Sequence, residues 1–133
     1  MADAGDLARR WFEEVWNRRN RAAIDELMHP DCVGIATVGQ TDDREDWKNK
    51  QYDPFVAAFS EFHVEIAGVT ARDDEAAVRW RATATHTGDQ LGFRASGRKV
   101  DFRGLTWMRF RDGQIVEGWD SFDLGSVLQS LRE

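Results

Sequence analysis

Asp120 is the first candidate for acid–base chemistry in this sequence. Alternation along a predicted strand puts it on the face of Val116 and Gly118, with Trp119 on the other face. Burial in an apolar cavity raises the pKa of a carboxyl group, which suits it to remove a proton beside a carbonyl. If the face of Val116 is concave, Asp120 is therefore a general acid or base. The alternative is that Asp120 caps the terminal helix.

His86 and Asp123 are the other catalytic candidates. His86 shares a predicted strand face with Trp80 and Ala84, and if that face is concave its imidazole can pair with Asp120 across a pocket. The alternative is a histidine at a strand end that bonds to the loop after it. Asp123 lies where a helix is predicted to begin, so a capping role favoured by the helix dipole competes with a catalytic one.

Metal, nucleotide and nucleic-acid sites are not indicated. His29, His63 and His86 show no ligand spacing, and Cys32 is the only cysteine. No Gly-x-Gly-x-x-Gly motif occurs, so we expect no cofactor. A net charge of −6 disfavours nucleic acid, and no apolar stretch approaches the ~20 residues that span a bilayer. With no signal-peptide pattern and a single cysteine, we predict a cytoplasmic protein with no membrane partner.

Aromatic residues are abundant, with six Trp and eight Phe among 133 residues. One set falls on the predicted pocket side of its elements and forms our candidate binding surface for a hydrophobic small molecule. Its members are Phe12, Trp16, Trp47, Tyr52, Phe55, Phe59, Trp80, Phe102 and Phe110. Leu105, Trp107 and Trp119 fall on the opposite sheet face, where burial against a second copy of the chain predicts a homodimer.

Hydrophobic periodicity predicts helices in the first part of the chain. Apolar pairs recur every four residues in the first segment, and proline ends the second. The predicted segments are a helix over 4–19, a shorter helix from Asn20 to His29-Pro30 that includes Met28, an extended run over 32–38, a turn over 39–42, and a helical region over 43–59 that breaks or restarts at Pro54.

From Phe62 onward the apolar period changes to two, which predicts strands. They lie around 62–66, 78–86, 100–111 and 114–120, with a long loop over 87–98, an Asp112-Gly113 turn, and a terminal helix from about Phe122. Helices first and antiparallel strands second predict an α+β fold, with the N-terminal helices packed on a curved, mainly antiparallel sheet. We expect a single domain over 1–133, shaped as a cone-like barrel with a pocket between helices and sheet.

A recognisable pattern runs through the second half of the chain. It comprises Arg79-Trp80, His86-Thr87-Gly88, Gly92, Gly97-Arg98, Gly104, Arg109, Asp112-Gly113, Ile115, Glu117, Trp119 and Asp123, and the segments His29-Pro30-Asp31 and Ala58-Phe59 agree with it. The chain resembles the SnoaL-like polyketide cyclase or ester cyclase family of the nuclear-transport-factor-2-like superfamily.

The resemblance implies a homo-oligomeric, commonly dimeric, cone-shaped α+β barrel. It also implies a cofactor-free intramolecular aldol addition that closes a ring on a polyketide ester. Aligned by the Asp112-Gly113 turn, the acid–base aspartate of the family falls on Asp120. The family's pocket histidine position falls on Thr106, which joins the substrate-binding candidates, and a neighbouring glutamine position falls on Gly104.

Our leading hypothesis is a cofactor-independent enzyme that uses Asp120, with or without His86, next to a carbonyl group. Aldol-type cyclisation, isomerisation and dehydration all fit that chemistry. Thr106 and Gly104, in place of the family's histidine and glutamine, favour the alternative of a dimeric module that binds a ligand without reacting with it. A third possibility is a hydrolase of the same superfamily, with Asp, Arg and Asn around one water.

Overall fold

A computed structural model describes residues 3–36 and 39–132 of the chain. The helices are α1 Ala4–Trp11, α2 Ala22–Leu27, α3 Arg44–Trp47, α4 Asp53–Ala58 and α5 Leu124–Arg132, and π-helical turns extend α1 over Phe12–Asn17 and α3 over Lys48–Tyr52. The strands are β1 Met28–Ala36, β2 Gly39–Thr41, β3 Phe59–Arg72, β4 Glu75–His86, β5 Lys99–Arg111 and β6 Gln114–Phe122.

Within these ranges the strands form one six-stranded sheet in the order β2-β1-β6-β5-β4-β3. All neighbouring pairs are antiparallel except β1 and β6, which run parallel. The sheet is curved but not closed, since β2 and β3 stay at its two edges. The predicted α+β fold with a mainly antiparallel sheet is confirmed. The parallel pair was not predicted, because β1 and β6 are far apart in the chain and parallel register leaves no local signal.

Several predicted boundaries of the first half are wrong. The first helix ends at Asn17 rather than 19, and Met28 begins β1, so His29-Pro30 lies within a strand rather than ending a helix. Residues 39–41 pair with β1 instead of forming a turn. Thr37 and Val38, the end of the predicted extended run, lie outside the described residues. Tertiary pairing with β6 outweighs local helix propensity at Met28.

Two further details concern the join between helices and sheet. The helical region restarts near Pro54 as predicted, with Pro54 in the first turn of α4, where a helix tolerates proline; the first helical residue is Asp53 rather than Pro54. Phe59, predicted in the helix, instead begins β3. The Tyr52 hydroxyl donates to the Val15 carbonyl oxygen at 2.8 Å, which ties the two helical segments together above the sheet.

Side chains alternate between the two faces of the sheet, and this alternation determines which of them face the helices. On β4 and β5 the predicted alternation holds, and Val78, Trp80 and Thr106 are all buried. On β6 the register shifts between the pairs Arg109–Glu117 and Phe110–Ile115, so Val116 is the extra residue of a bulge. Ile115, not Val116, is therefore the buried residue at that end of β6.

Beyond the bulge, Gly118 and Asp120 pair with Met108 and Thr106. Directly paired residues point to the same side of a sheet, and both β5 partners are buried. The predicted inward face therefore holds for Gly118 and Asp120 and fails for Val116. A bulge changes the direction of side chains without any change in the sequence pattern, so alternation alone could not predict the orientation of Val116.

Candidate active site

A cavity of about 350 Å³ lies between the helices and the concave face of the sheet. Its walls are mostly apolar and aromatic. They are formed by Phe12, Trp16, Ala36, Trp47, Lys50, Gln51, Pro54, Phe55, Phe62, Val64, Trp80, Gln90, Leu91, Phe102, Thr106, Asp120, Phe122, Leu124 and Leu128. Among the described residues in these walls, Asp120 is the only carboxylate. A large apolar space with few polar groups is typical of a small-molecule site.

Asp120 is held by a directed chain of hydrogen bonds that crosses three strands. The indole Nε1 of Trp80 donates to the Thr106 hydroxyl at 2.9 Å, and that hydroxyl donates to Oδ1 of Asp120 at 2.5 Å. An indole N–H can only donate, so it fixes the Thr106 oxygen as an acceptor and aims the hydroxyl proton at Asp120. Oδ1 is thereby occupied, and Oδ2 is the oxygen left to exchange a proton.

The surroundings of Asp120 favour its neutral form. Burial raises the pKa of this carboxyl group above its ordinary value, and the hydrogen bond from Thr106 opposes that rise. Desolvation is the larger of the two effects. A carboxyl group with a raised pKa is a stronger base once ionised and can also return a proton as an acid.

The Trp80 indole takes its position because Gly104 lies directly across from it on β5. A Cβ at Gly104 would come within 2.2 Å of Cζ2 of the ring. The ring also packs against Phe102 and Phe122, at centroid distances of 5.7 and 5.8 Å. Gly104 and Thr106 thus both hold the Trp80 indole in place, Gly104 by leaving space for the ring and Thr106 by accepting its N–H.

We expect Thr106→Val to raise the pKa of Asp120 further, because the hydroxyl that stabilises the carboxylate is lost. A hydrogen bond to a charged group contributes roughly 1.5–3 kcal/mol, so a shift of about one pH unit or more is expected. Carbon-detected NMR titration of the Asp120 carboxyl measures it. Thr83→Val, on the exposed face of β4, is the matched control. An unshifted pKa in Thr106→Val would contradict the hydrogen-bond chain.

The structure places His86 apart from Asp120. His86 is fully buried at the end of β4, between the rings of Phe59 and Phe93. Its Nδ1 accepts the backbone N–H of Ser96 at 3.0 Å, which assigns the proton to Nε2. Within the described residues Nε2 has no hydrogen-bond partner, and His86 does not line the cavity. The predicted pairing with Asp120 is therefore wrong, and the alternative of a strand-end histidine bonded to the following loop is the one observed.

Asp123 does not line the cavity, although its neighbours Phe122 and Leu124 do. It precedes α5, where its carboxylate accepts the backbone N–H of Ser126 at 3.0 Å and the Ser126 hydroxyl at 2.6 Å. These bonds lower the pKa of Asp123. The capping role explains its position.

The predicted aromatic set divides in two. Cavity walls include Phe12, Trp16, Trp47, Phe55, Trp80 and Phe102, together with Thr106. Tyr52, Phe59 and Phe110 are buried outside the cavity and belong to the core. The prediction fails for these three residues, because hydrophobic periodicity identifies the inward face of a helix or strand but not which residues on that face border a cavity.

Sequence reasoning missed several cavity residues. Phe122 lies two positions after Asp120 on the same face of β6, and extending the alternation by one step would have found it. Lys50 and Gln51 come from the π-helical turn after α3, whose wider winding breaks the helical period. Gln90 and Leu91 come from the loop, which carries no periodic signal.

Across 3–36 and 39–132, no group of three His, Cys, Asp or Glu side chains is placed to hold a metal ion. Over the same residues, none of the helices has the length and apolar character needed to cross a membrane.

Comparison with known proteins gives consistent matches. A family model described as SnoaL-like polyketide cyclase matches residues 6–131. A candidate SnoaL-like polyketide cyclase from Jannaschia sp. CCS1 is 26% identical with a TM-score of 0.85, covering 94% of this chain and 88% of that one. IdmH, a candidate polyketide cyclase from Streptomyces antibioticus, is 26% identical with a TM-score of 0.84, covering 99% and 100%.

AclR, a candidate hydroxylase from Streptomyces galilaeus, is 27% identical with a TM-score of 0.82, covering 95% of this chain and 78% of that one. No curated protein matches the chain. Proteins with different assigned chemistries thus share this scaffold, so the reaction must be argued from the site itself.

Proposed function

We propose, on the premise that this chain belongs to the SnoaL-like polyketide cyclase family, that it is a cofactor-independent enzyme acting next to a carbonyl group of a hydrophobic small molecule. The observation that carries the proposal is the Asp120 carboxyl in an otherwise apolar wall, with Oδ1 held by Thr106. Asp120 acts as the base and then as the acid.

The reaction begins when ionised Asp120 takes a proton from the carbon beside the carbonyl. The electron pair of the broken C–H bond becomes an enolate, whose oxygen needs a hydrogen-bond donor. Gln51 belongs to the cavity wall, and its carboxamide is a donor of the right type. The enolate then attacks a second carbonyl, takes back the proton at another carbon, or expels a leaving group. These are the cyclase, isomerase and dehydratase outcomes.

A bicyclic aryl ketone such as α-tetralone tests the first step without knowledge of the natural substrate. In deuterium oxide, the enzyme is expected to speed exchange of the protons beside the carbonyl, followed by proton NMR. Binding is read separately from indole fluorescence, because Trp16, Trp47 and Trp80 line the cavity. Ketones that quench this fluorescence but gain no deuterium above the buffer rate would favour the alternative of a non-catalytic binding module.

The outer face of the sheet supports a second proposal, that the protein is a homodimer. Leu105 is 53% exposed and Trp119 is 47% exposed, and Trp107 pairs with Trp119 across β5 and β6. Exposed apolar surface of this kind is costly unless covered. Next to it, Arg109 binds Glu117 at 3.0 Å, a polar edge of the sort that surrounds interfaces.

We expect Trp119→Glu to convert the dimer to a monomer, because it buries a charge at the centre of the contact. Light scattering after size exclusion should give twice the chain mass of 15.2 kDa for the unaltered protein and one chain for the variant. Arg72→Glu, at an exposed hairpin end, is the control for a charge change alone. A monomeric unaltered protein would refute the dimer.

A further inference from the structure

A second, smaller chamber lies beside Asp120 and adjoins the main cavity. Its volume is about 30 Å³. It shares Trp16, Trp47, Gln51, Thr106 and Asp120 with the main cavity, and the rest of its wall is Trp11, Met28, Cys32, Gly34, Ile35, Met108, Ile115 and Gly118. Asp120 and Thr106 therefore face two spaces, one large enough for a substrate and one far smaller.

Gly118 is what keeps the small chamber open. A Cβ added there would meet no heavy atom within 4 Å, apart from its own chain neighbours. Gly34 and Gly104 differ, because a Cβ at Gly34 would approach the Thr41 hydroxyl to 2.7 Å and the ring of Trp47 to 3.2 Å, and a Cβ at Gly104 would approach the ring of Trp80 to 2.2 Å. Those two glycines make room for neighbouring side chains, whereas a Cβ at Gly118 would meet no neighbouring side chain.

Gly118 is partly buried in one of the inner strands of the sheet, where open space beside a glycine is unusual. Interiors are packed as densely as organic crystals, and glycine weakens a strand through its backbone entropy. The backbone of Gly118 lies outside the left-handed region, so alanine would be tolerated there without strain. Neither packing nor backbone conformation requires glycine at this position, so the space beside it is available to a ligand.

We propose that this chamber binds a water molecule that hydrogen-bonds to the carboxyl group of Asp120 and exchanges protons with it. The site is large enough, since a water needs a cavity of roughly 10–15 Å³ and two to four polar partners. Asp120, Thr106 and the Gln51 carboxamide supply those partners. The remaining wall is apolar, apart from the Cys32 thiol and the indole N–H groups.

Cys32 is the other titratable group that faces the chamber. Burial raises its pKa to about 12, so it stays a neutral thiol and leaves Asp120 as the group that exchanges protons there.

The catalytic consequence of the water rests on the proposed function. When Asp120 has taken a proton from a carbon, exchange replaces it with one of the two protons of the water. The enolate is then reprotonated with a proton from solvent, and atoms and charge are conserved.

Two variants separate the water site from general effects on packing. Gly118→Ala fills the chamber from β6, while Cys32→Ala enlarges it from β1. The readouts are a near-atomic-resolution crystal structure, NMR titration of Asp120 and the melting temperature. Gly118→Ala is expected to lose the water, to raise the pKa of Asp120 by about one pH unit, and to melt at or above the unaltered temperature. Cys32→Ala is expected to melt lower yet keep both the water and the pKa.

An unaltered protein whose chamber holds no ordered water, or a folded Gly118→Ala variant with an unshifted Asp120, would overturn the proposal. The crystal structure of the unaltered protein decides the matter even if a variant fails to fold. None of these readouts uses turnover. Failure of the proposed function would appear instead as an Asp120→Asn variant that remains active while the water is still present.

Discussion

Asp120→Asn is expected to lower kcat/KM for proton removal by about 100-fold or more, which is the usual contribution of a general base. The amide keeps the size of the side chain, and its oxygen can still accept the Thr106 hydroxyl. It lacks the second oxygen that takes the proton. Exchange of α-tetralone protons in deuterium oxide measures the loss, and indole fluorescence verifies that the ketone still binds.

The same substitution should not destabilise the protein near neutral pH. Burial raises the pKa of Asp120 in the folded state above its ordinary value of 3.8. Ionisation of Asp120 therefore lowers the free energy of unfolding. This loss is absent below pH 3.8 and grows as the pH rises through the folded-state pKa. Relative to the unaltered protein, Asp120→Asn should gain stability over that window.

Activity of the unaltered enzyme should rise over the same window, because the base must be ionised. Asp123→Asn is the matched control, since it changes a carboxylate of the same type that binds Ser126 in α5 and does not itself line the cavity. Equal activity losses in the two variants would contradict the role assigned to Asp120.

The sequence predicted the position of this carboxylate better than its partners. Alternation works where strands are regular, so the inward face of β4 and β5 could be predicted and Trp80 and Thr106 were found. On β6 the bulge at Val116 moves the buried position by one residue. Asp120 lies beyond the bulge, where the inward face is retained, so the prediction holds there.

His86 illustrates the limit of the same reasoning. The strand face of His86 was predicted correctly, since it lies on the face of Trp80 and Ala84. The surroundings of His86 at the end of its strand could not be predicted, because they depend on how the loop over 87–98 folds back. Ser96 covers Nδ1 and Phe93 packs on the ring, and both come from a segment with no periodic pattern. A face can be predicted from spacing, whereas a contact across an irregular loop cannot.

Gly104→Ala is the second substitution with a large expected effect, because it fills space that the Trp80 ring occupies. The added Cβ would lie 2.2 Å from the ring, so the indole must move by more than 1 Å to reach ordinary contact. Overpacking of this kind typically costs about 1–3 kcal/mol. We expect a loss of about 2–3 kcal/mol in the free energy of unfolding, measured by urea denaturation.

Activity should fall as well, because a displaced indole no longer donates to the Thr106 hydroxyl, which in turn is no longer aimed at Asp120. A double-mutant cycle with Trp80→Leu separates this clash from the intrinsic effect of alanine. Without the indole, the Cβ at position 104 enters space that the ring has left, so Gly104→Ala should be close to neutral in that background. An equal cost in both backgrounds would contradict the clash. Gly104 has no side chain that could contact a substrate, so we expect its substitution to act on Asp120 through Trp80, the residue that the added Cβ would meet, and through the Thr106 hydroxyl.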